Sequence, residues 1–197
     1  RRAQMILIGL SGSIGMGKSA TSKMFREAGI PVYDADAAVH RLYAGAAVEP
    51  VAAIFPSAIV EGKVDRAILS KLVLADKSAL RRLEEVVHPL VGADRGEFLN
   101  RCRAQNATAC IFDVPLLFET GGDRNVDVII VVSASPAEQE RRVLARPDMT
   151  VEKLHSIRSK QMPDAEKRSR AHYVIDSGRG FDYARRQVTG ILLALGI

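Results

Sequence analysis

The chain has 197 residues, 47% apolar and 26% charged, with a formal net charge of +5 and two cysteines. That length lets one domain bury roughly 70% of its unfolded surface without staples, and no apolar run approaches the 18 or more residues of a membrane span. Aromatics are only 5% and no five like charges stand together, so the basic excess points away from nucleic acid and toward a phosphate-rich small ligand.

Arg1-Arg2-Ala3-Gln4 leads directly into an apolar run and does not read as a secretory signal. Met5 to Leu10 predicts a buried strand, followed by a Gly-rich loop and a helical pattern from Lys18 to Ala28. Gly29 and Pro31 stop that helix. Pro31 to Asp34 predicts a second strand, with a helix from Asp36. From about Asp65 to Ala104 the pattern is almost all helical: Asp65 can cap RAILSKLVLA, and LRRLEEVVH spaces its apolar residues by three and four. His88-Pro89 is read as the end of one helix and the start of another. Thr108 to Phe112 predicts a strand ending at Asp113, after which Val114-Pro115 turns the chain. Val126 to Val132 predicts a buried strand with a helix over Ala137 to Ala145. Tyr173 to Ile175 predicts the last strand and Tyr183 to Leu195 the closing helix. Strands alternating with helices imply a parallel sheet covered on both faces. The whole chain, residues 1–197, reads as a single α/β domain, with stretches at about 60–104 (helical) and 139–170 (basic) inserted over one side of the core. Cys102 and Cys110 lack a CxxC spacing and read as reduced thiols of a cytoplasmic protein.

The chemistry begins at Gly12-Ser13-Ile14-Gly15-Met16-Gly17-Lys18-Ser19, which matches G-x-x-x-x-G-K-[ST] between a strand and a helix. Glycines there let successive N–H groups turn around a phosphate chain, and the helix adds its positive dipole end. Lys18 supplies charge to the outer phosphates, and Ser19 a hydroxyl for Mg²⁺. Such a loop serves GTPases, ATPases and kinases alike, so the acceptor side must decide. Asp36, just past the second strand, is by local sequence equally a helix cap or a carboxylate that takes an acceptor proton. Asp113, at the end of its strand, suits the second acidic residue of a phosphate-loop site, holding Mg²⁺ directly or through water. The basic residues Arg141, Arg142, Arg146, Arg158, Lys160, Lys167, Arg168 and Arg170 offer cations for a lid, although any single one reads first as a solvated helix face. His88 reads first as a helix-end cation or a packed residue. His40, His155 and His172 show no partner spacing.

At this point the residues resemble one family, the dephospho-CoA kinases, from Ile8 to about Val188. The resemblance rests on GLSGSIGMGKS, YDADAAVHRLY, VVHPLV and DVPLLFETGG. It continues through the spaced Gln139, Arg142 and Arg146, then Arg158 with Gln161, and closes with RSRAHYVIDSG. It implies a three-layer P-loop NTP hydrolase fold of the nucleoside-monophosphate-kinase type: a five-stranded parallel sheet, a helical substrate-binding insertion and a lid. It implies ATP, Mg²⁺ and dephospho-CoA, with transfer to the ribose 3′-hydroxyl in the last step of coenzyme A synthesis. Carried onto this chain, Asp36 becomes the catalytic carboxylate. His88, Leu116 and Phe118 become a wall of the acceptor pocket, and Arg142 and Arg146 the lid arginines. No nucleic-acid or membrane partner is expected, and the protein reads as a monomer or weak homo-oligomer. Three positions depart from the family pattern: Ala20 in place of a second hydroxyl, His172 in place of Asp, and Ser177 in place of Asn. Three alternatives stand beside this reading. One is a kinase of another small metabolite. Another is a nucleotide-dependent switch, disfavoured because no Asn-Lys-x-Asp occurs. The third is a basic nucleic-acid module, disfavoured by the scattered charge.

Overall fold

The structure, a computed structural model, describes residues 4–74 and 76–197. Arg1, Arg2 and Ala3, on which the reading of the chain start rests, lie outside the described residues, as does Ala75 in the predicted helix RAILSKLVLA. The chain divides into two compact units, one formed by residues 1–33 with 102–197 and the other by Asp34–Arg101.

In the first unit, β1 (Ile6–Ser11) runs into the phosphate loop and α1 (Lys18–Glu27). β2 (Val32–Asp34) follows, and β5 (Ala109–Asp113), β6 (Val128–Ser133) and β7 (Tyr173–Asp176) complete a five-stranded sheet of order β2-β5-β1-β6-β7. β1 pairs in parallel with both β5 and β6, and β6 pairs in parallel with β7. The central strands are apolar runs rather than alternations because both faces are covered. Ile8, Leu10, Ile111, Ile130 and Val132 pack against Met24 and Phe25 of α1, and against Val188, Ile191 and Leu192 of α9 (Phe181–Ala194). Full burial of each such large side chain contributes about 1.5–3 kcal/mol. On a separate cluster Leu117 and Phe118 pack with Ile129 and Val131. Between β6 and β7 lie α6 (Pro136–Leu144), α7 (Val151–Arg158) and α8 (Asp164–Ser169).

The second unit holds α2 (Ala35–Tyr43), α3 (Val48–Ile54), α4 (Arg66–Leu74) and most of α5 (Lys77–Ala104), with a two-stranded hairpin of β3 (Ile59–Val60) and β4 (Lys63–Val64). The hairpin turn is Glu61-Gly62, both at positive φ, as a two-residue turn between twisted strands requires. Asp65 caps α4 as expected, its Oδ1 accepting from the N–H groups of Ala67 and Ile68. The expected break at His88-Pro89 does not occur: Pro89 lies inside the 28-residue α5. Proline there deprives the Glu85 carbonyl of its partner at a cost of about 3 kcal/mol. Glu85, His88 and Pro89 are all exposed, so water can take that carbonyl. Meanwhile Ala79, Leu83 and Val87 are buried on the opposite stripe with Leu90 and Val91 packed beside them, and this apolar face keeps the helix continuous.

Candidate active site

The phosphate loop leaves β1 at Ser11 and enters α1 with Gly17 as the N-cap, at φ 89 and without a side-chain cap. Gly15 also lies at positive φ, 76. Neither position accepts a side chain: a Cβ on Gly15 would stand 2.5 Å from Val143 Cγ2, and one on Gly17 2.9 Å from Ser177 Oγ. The first amides of α1 therefore remain available to an anion, with the helix dipole behind them.

Lys18 and Asp113 meet directly, Lys18 Nζ donating to Asp113 Oδ1. Parallel pairing sets this contact, because β1 and β5 run side by side with Leu10 opposite Asp113. The Asp113 side chain is 4% exposed and the Lys18 side chain 15%. Ser19 is exposed at the next position. A hydroxyl and a carboxylate are hard oxygen donors of the kind Mg²⁺ takes. No group of three or more His, Cys, Asp or Glu that could hold a metal occurs among the described residues.

α6 lies against the loop. Gln139, 2% exposed, donates its side-chain amide to the Ile14 carbonyl at 2.7 Å. Arg142 donates through Nε to Glu138 at 2.7 Å, through Nη1 to Ser177 Oγ at 2.8 Å and through Nη2 to the Ser177 carbonyl at 2.8 Å. Ser177 Oγ in turn donates to the Met16 carbonyl at 2.7 Å. Glu138 takes a second arginine, Arg141, at 2.8 and 2.7 Å. These contacts, Arg141 first and Arg142 after it, outweigh the opposing effect of burial and hold the Glu138 carboxyl down at about 2. Beside this network a cavity of about 510 Å³ is lined by Gly17, Thr21, Met24, Arg142, Arg146 and Phe181 among others. Phe181 is 70% exposed at its edge.

The expected residues thus fall into distinct sets. Gly12, Ser13, Ile14, Gly15, Met16, Gly17, Lys18 and Ser19 follow one another through the loop into α1, with Asp113 meeting Lys18 and Arg142 reaching the Gly15 carbonyl at 3.4 Å. Arg142 is already committed to Glu138 and Ser177. Arg146 is exposed on the cavity wall, and its side chain makes no hydrogen bond or ion pair to a described residue. Leu116 is 40% exposed, whereas Phe118, at 6%, packs into the core and offers no wall of its own. Lys167, one of the basic residues considered for a lid, is fully buried and bridges Glu119 at 3.0 Å and the Pro115 carbonyl at 3.1 Å. Asp36 is not the cap of α2. Asp34 takes that role, accepting from the Ala37 N–H at 2.9 Å, and Asp36 stands exposed in the first turn. His88 is exposed on α5 of the second unit. Ser177 and Gln139 carry contacts that motif reasoning did not assign to them; the position of Gln139 three residues before Arg142, on one helix face, was the available signal.

The family model for dephospho-CoA kinase matches residues 6–182. A dephospho-CoA kinase of Rhodopseudomonas palustris strain HaA2 is 53% identical over 188 residues, which cover 95% of this chain and 94% of that protein. The crystal structure of TT1252 from Thermus thermophilus superposes with a TM-score of 0.87 at 36% identity, covering 97% of each chain. The dephospho-CoA kinase of Campylobacter jejuni shares the fold with a TM-score of 0.70 at 23% identity, covering 96% of each. A phosphate loop whose lysine meets the β5 aspartate, on this sheet order and with these relatives, leads to one conclusion: the chain belongs to the dephospho-CoA kinase family of P-loop kinases, which carry out the final step of coenzyme A synthesis.

Proposed function

We propose that this chain transfers the γ-phosphoryl group of ATP to the ribose 3′-hydroxyl of dephospho-CoA, giving coenzyme A and ADP. The observation that carries the reading is the Lys18–Asp113 contact at the mouth of a phosphate loop with uncapped amides, in a chain matched along its length by the family.

Gly12 to Ser19 wrap the triphosphate, and the cavity edged by Phe181 and Arg146 takes the base. Lys18 neutralises charge on the phosphates. Ser19 and Asp113 would hold Mg²⁺, whose chemistry there is to neutralise charge on the phosphate oxygens. Asp36 accepts the proton of the attacking hydroxyl. Support for that role is its exposure and its place two residues after β2, at the carboxyl end of a parallel strand, where open α/β sheets bind ligands. Arg146 is the lid arginine still open to a phosphate, while Arg142 shapes the loop. His88, Leu116 and Phe118 are assigned to acceptor recognition on the family resemblance; His88 and Leu116 are exposed, whereas Phe118 is buried. Positioning and electrostatics supply most of the acceleration in such transfers.

The same reading makes the enzyme cytoplasmic, a monomer or weak homo-oligomer, with no nucleic-acid or membrane partner. No helix of the described residues is long and apolar enough to cross a membrane, and two buried thiols suit a reducing compartment.

ADP release measured with ATP, Mg²⁺ and dephospho-CoA, against a blank without acceptor and an adenosine control, tests the proposal. Release that depends on dephospho-CoA supports it. Release without an acceptor would make the chain an ATPase, and release only with another alcohol would reassign the substrate.

A further inference from the structure

Ile14, in the middle of the phosphate loop, is held on both sides. Its carbonyl accepts from the Gln139 side-chain amide at 2.7 Å, and its N–H donates to Gln161 Oε1 at 3.2 Å. Gln139 is 2% exposed, so its donor acts away from water, where an unmade hydrogen bond is most costly. The C=O and N–H of one trans peptide unit point in opposite directions. An Ile14 carbonyl turned back onto α6 therefore aims the Gly15 N–H the other way. Gly15 is buried, yet its N–H donates to no described residue. Buried amides without a partner are rare in folded chains. Gly15 lies at φ 76, and a Cβ there would stand 2.5 Å from Val143 Cγ2.

We infer that Gln139 is a positioning residue for the donor nucleotide, fixing the Ile14–Gly15 peptide so that the Gly15 N–H is presented to the triphosphate. Gln161 is the second hold on the same residue. Without the Gln139 donor the peptide can rotate and turn the Ile14 carbonyl toward phosphate oxygens, which it repels. The loss then falls on ATP and not on the acceptor. This inference rests on the reading of the loop as the ATP site.

The test uses two substitutions of similar size in the full chain. Gln139→Met has no donor at any pH, and Gln139→Glu donates only while its carboxyl is protonated. Calorimetric titration of the wild-type chain with ATP comes first, since absence of binding there would sink the ATP-site reading itself. KM for ATP, KM for dephospho-CoA and kcat are then measured from pH 6 to 9, with thermal unfolding beside them. Gln139→Met is expected to raise KM for ATP about tenfold at every pH, the order of one lost hydrogen bond, and to leave KM for dephospho-CoA within twofold. Gln139→Glu is expected to approach the wild type at pH 6 and the Met variant at pH 9. An ATP KM within twofold of wild type in Gln139→Met overturns the inference. So do equal losses for both substrates that follow a lower Tm, which would mark a packing role. Should Gln139→Met not fold, a pH-independent Gln139→Glu would overturn it alone.

Discussion

Arg142 holds Ser177 twice, donating at 2.8 Å to its hydroxyl and at 2.8 Å to its carbonyl oxygen. The residues are 35 apart in sequence, on α6 and just past β7. Ser177 Oγ passes the contact on to the Met16 carbonyl, so one guanidinium ties the helix after β6, the strand end and the phosphate loop together. A planar fork suits that geometry and an ammonium does not.

Arg142→Lys should therefore lower stability by about 1.5 kcal/mol, the scale of hydrogen bonds to a charged group, and raise KM for ATP more than KM for the acceptor. Urea unfolding and steady-state kinetics check both. Unchanged values would leave Arg142 a surface residue only.

Lys18→Ala should reduce kcat by about 10²–10³, as the loss of one charge-stabilising donor does elsewhere. Asp36→Asn should reduce kcat by about 10²–10⁴, the usual contribution of a general base, with little change in ATP binding. Wild-type turnover in Asp36→Asn would remove that carboxylate from the chemistry.

Glu138 titrates at about 2 in the folded chain against an ordinary value of 4.5, chiefly through Arg141 and then Arg142. A folded value below the unfolded one means the ionised form favours the fold. That contribution is complete above about pH 4.5 and disappears as pH falls toward 2. Thermal unfolding of wild type and Glu138→Gln should thus differ near pH 6 and converge at the acid end. A gap that widens on acidification would contradict the assignment.

Lys167 is fully buried against Glu119 and the Pro115 carbonyl. Burial alone would raise the Glu119 carboxyl, yet the Met162 N–H and Lys167 hold it below its usual value. Lys167→Met leaves that carboxylate without its cation and should destabilise by about 3 kcal/mol. Adding Glu119→Leu should restore part of the loss, as a double-mutant cycle by chemical denaturation would show.

Cys102 and Cys110 are both buried, and burial first, with Cys102 nearby, pushes the Cys110 thiol up to about 12. A thiol so protonated is a poor nucleophile. Neither cysteine should react with a thiol reagent in the native chain, and both should react on unfolding. Mass spectrometry of alkylated protein would count them.

Much of this protein was legible in order along the chain. The spacing of glycines, lysine and serine in residues 12–19 identifies a phosphate loop because backbone geometry around an anion is local. Apolar runs ending in Asp34 and Asp113 mark strands for the same reason: burial on both faces writes itself into consecutive residues. What pairs across the fold could not be read that way. The Lys18–Asp113 contact depends on β1 and β5 lying side by side, and the Gln139, Arg142 and Ser177 contacts on α6 crossing the loop. The passage of α5 through Pro89 was decided by an apolar stripe that outweighs one lost hydrogen bond, a balance that proline alone argues against. The burial of Lys167 was decided by a carboxylate that sequence places 48 residues earlier. Sequence determined where the phosphate loop lies, since that motif is contained in one short stretch of chain; tertiary structure decided which residues hold the loop in place, since those contacts join segments that only the folded sheet brings together.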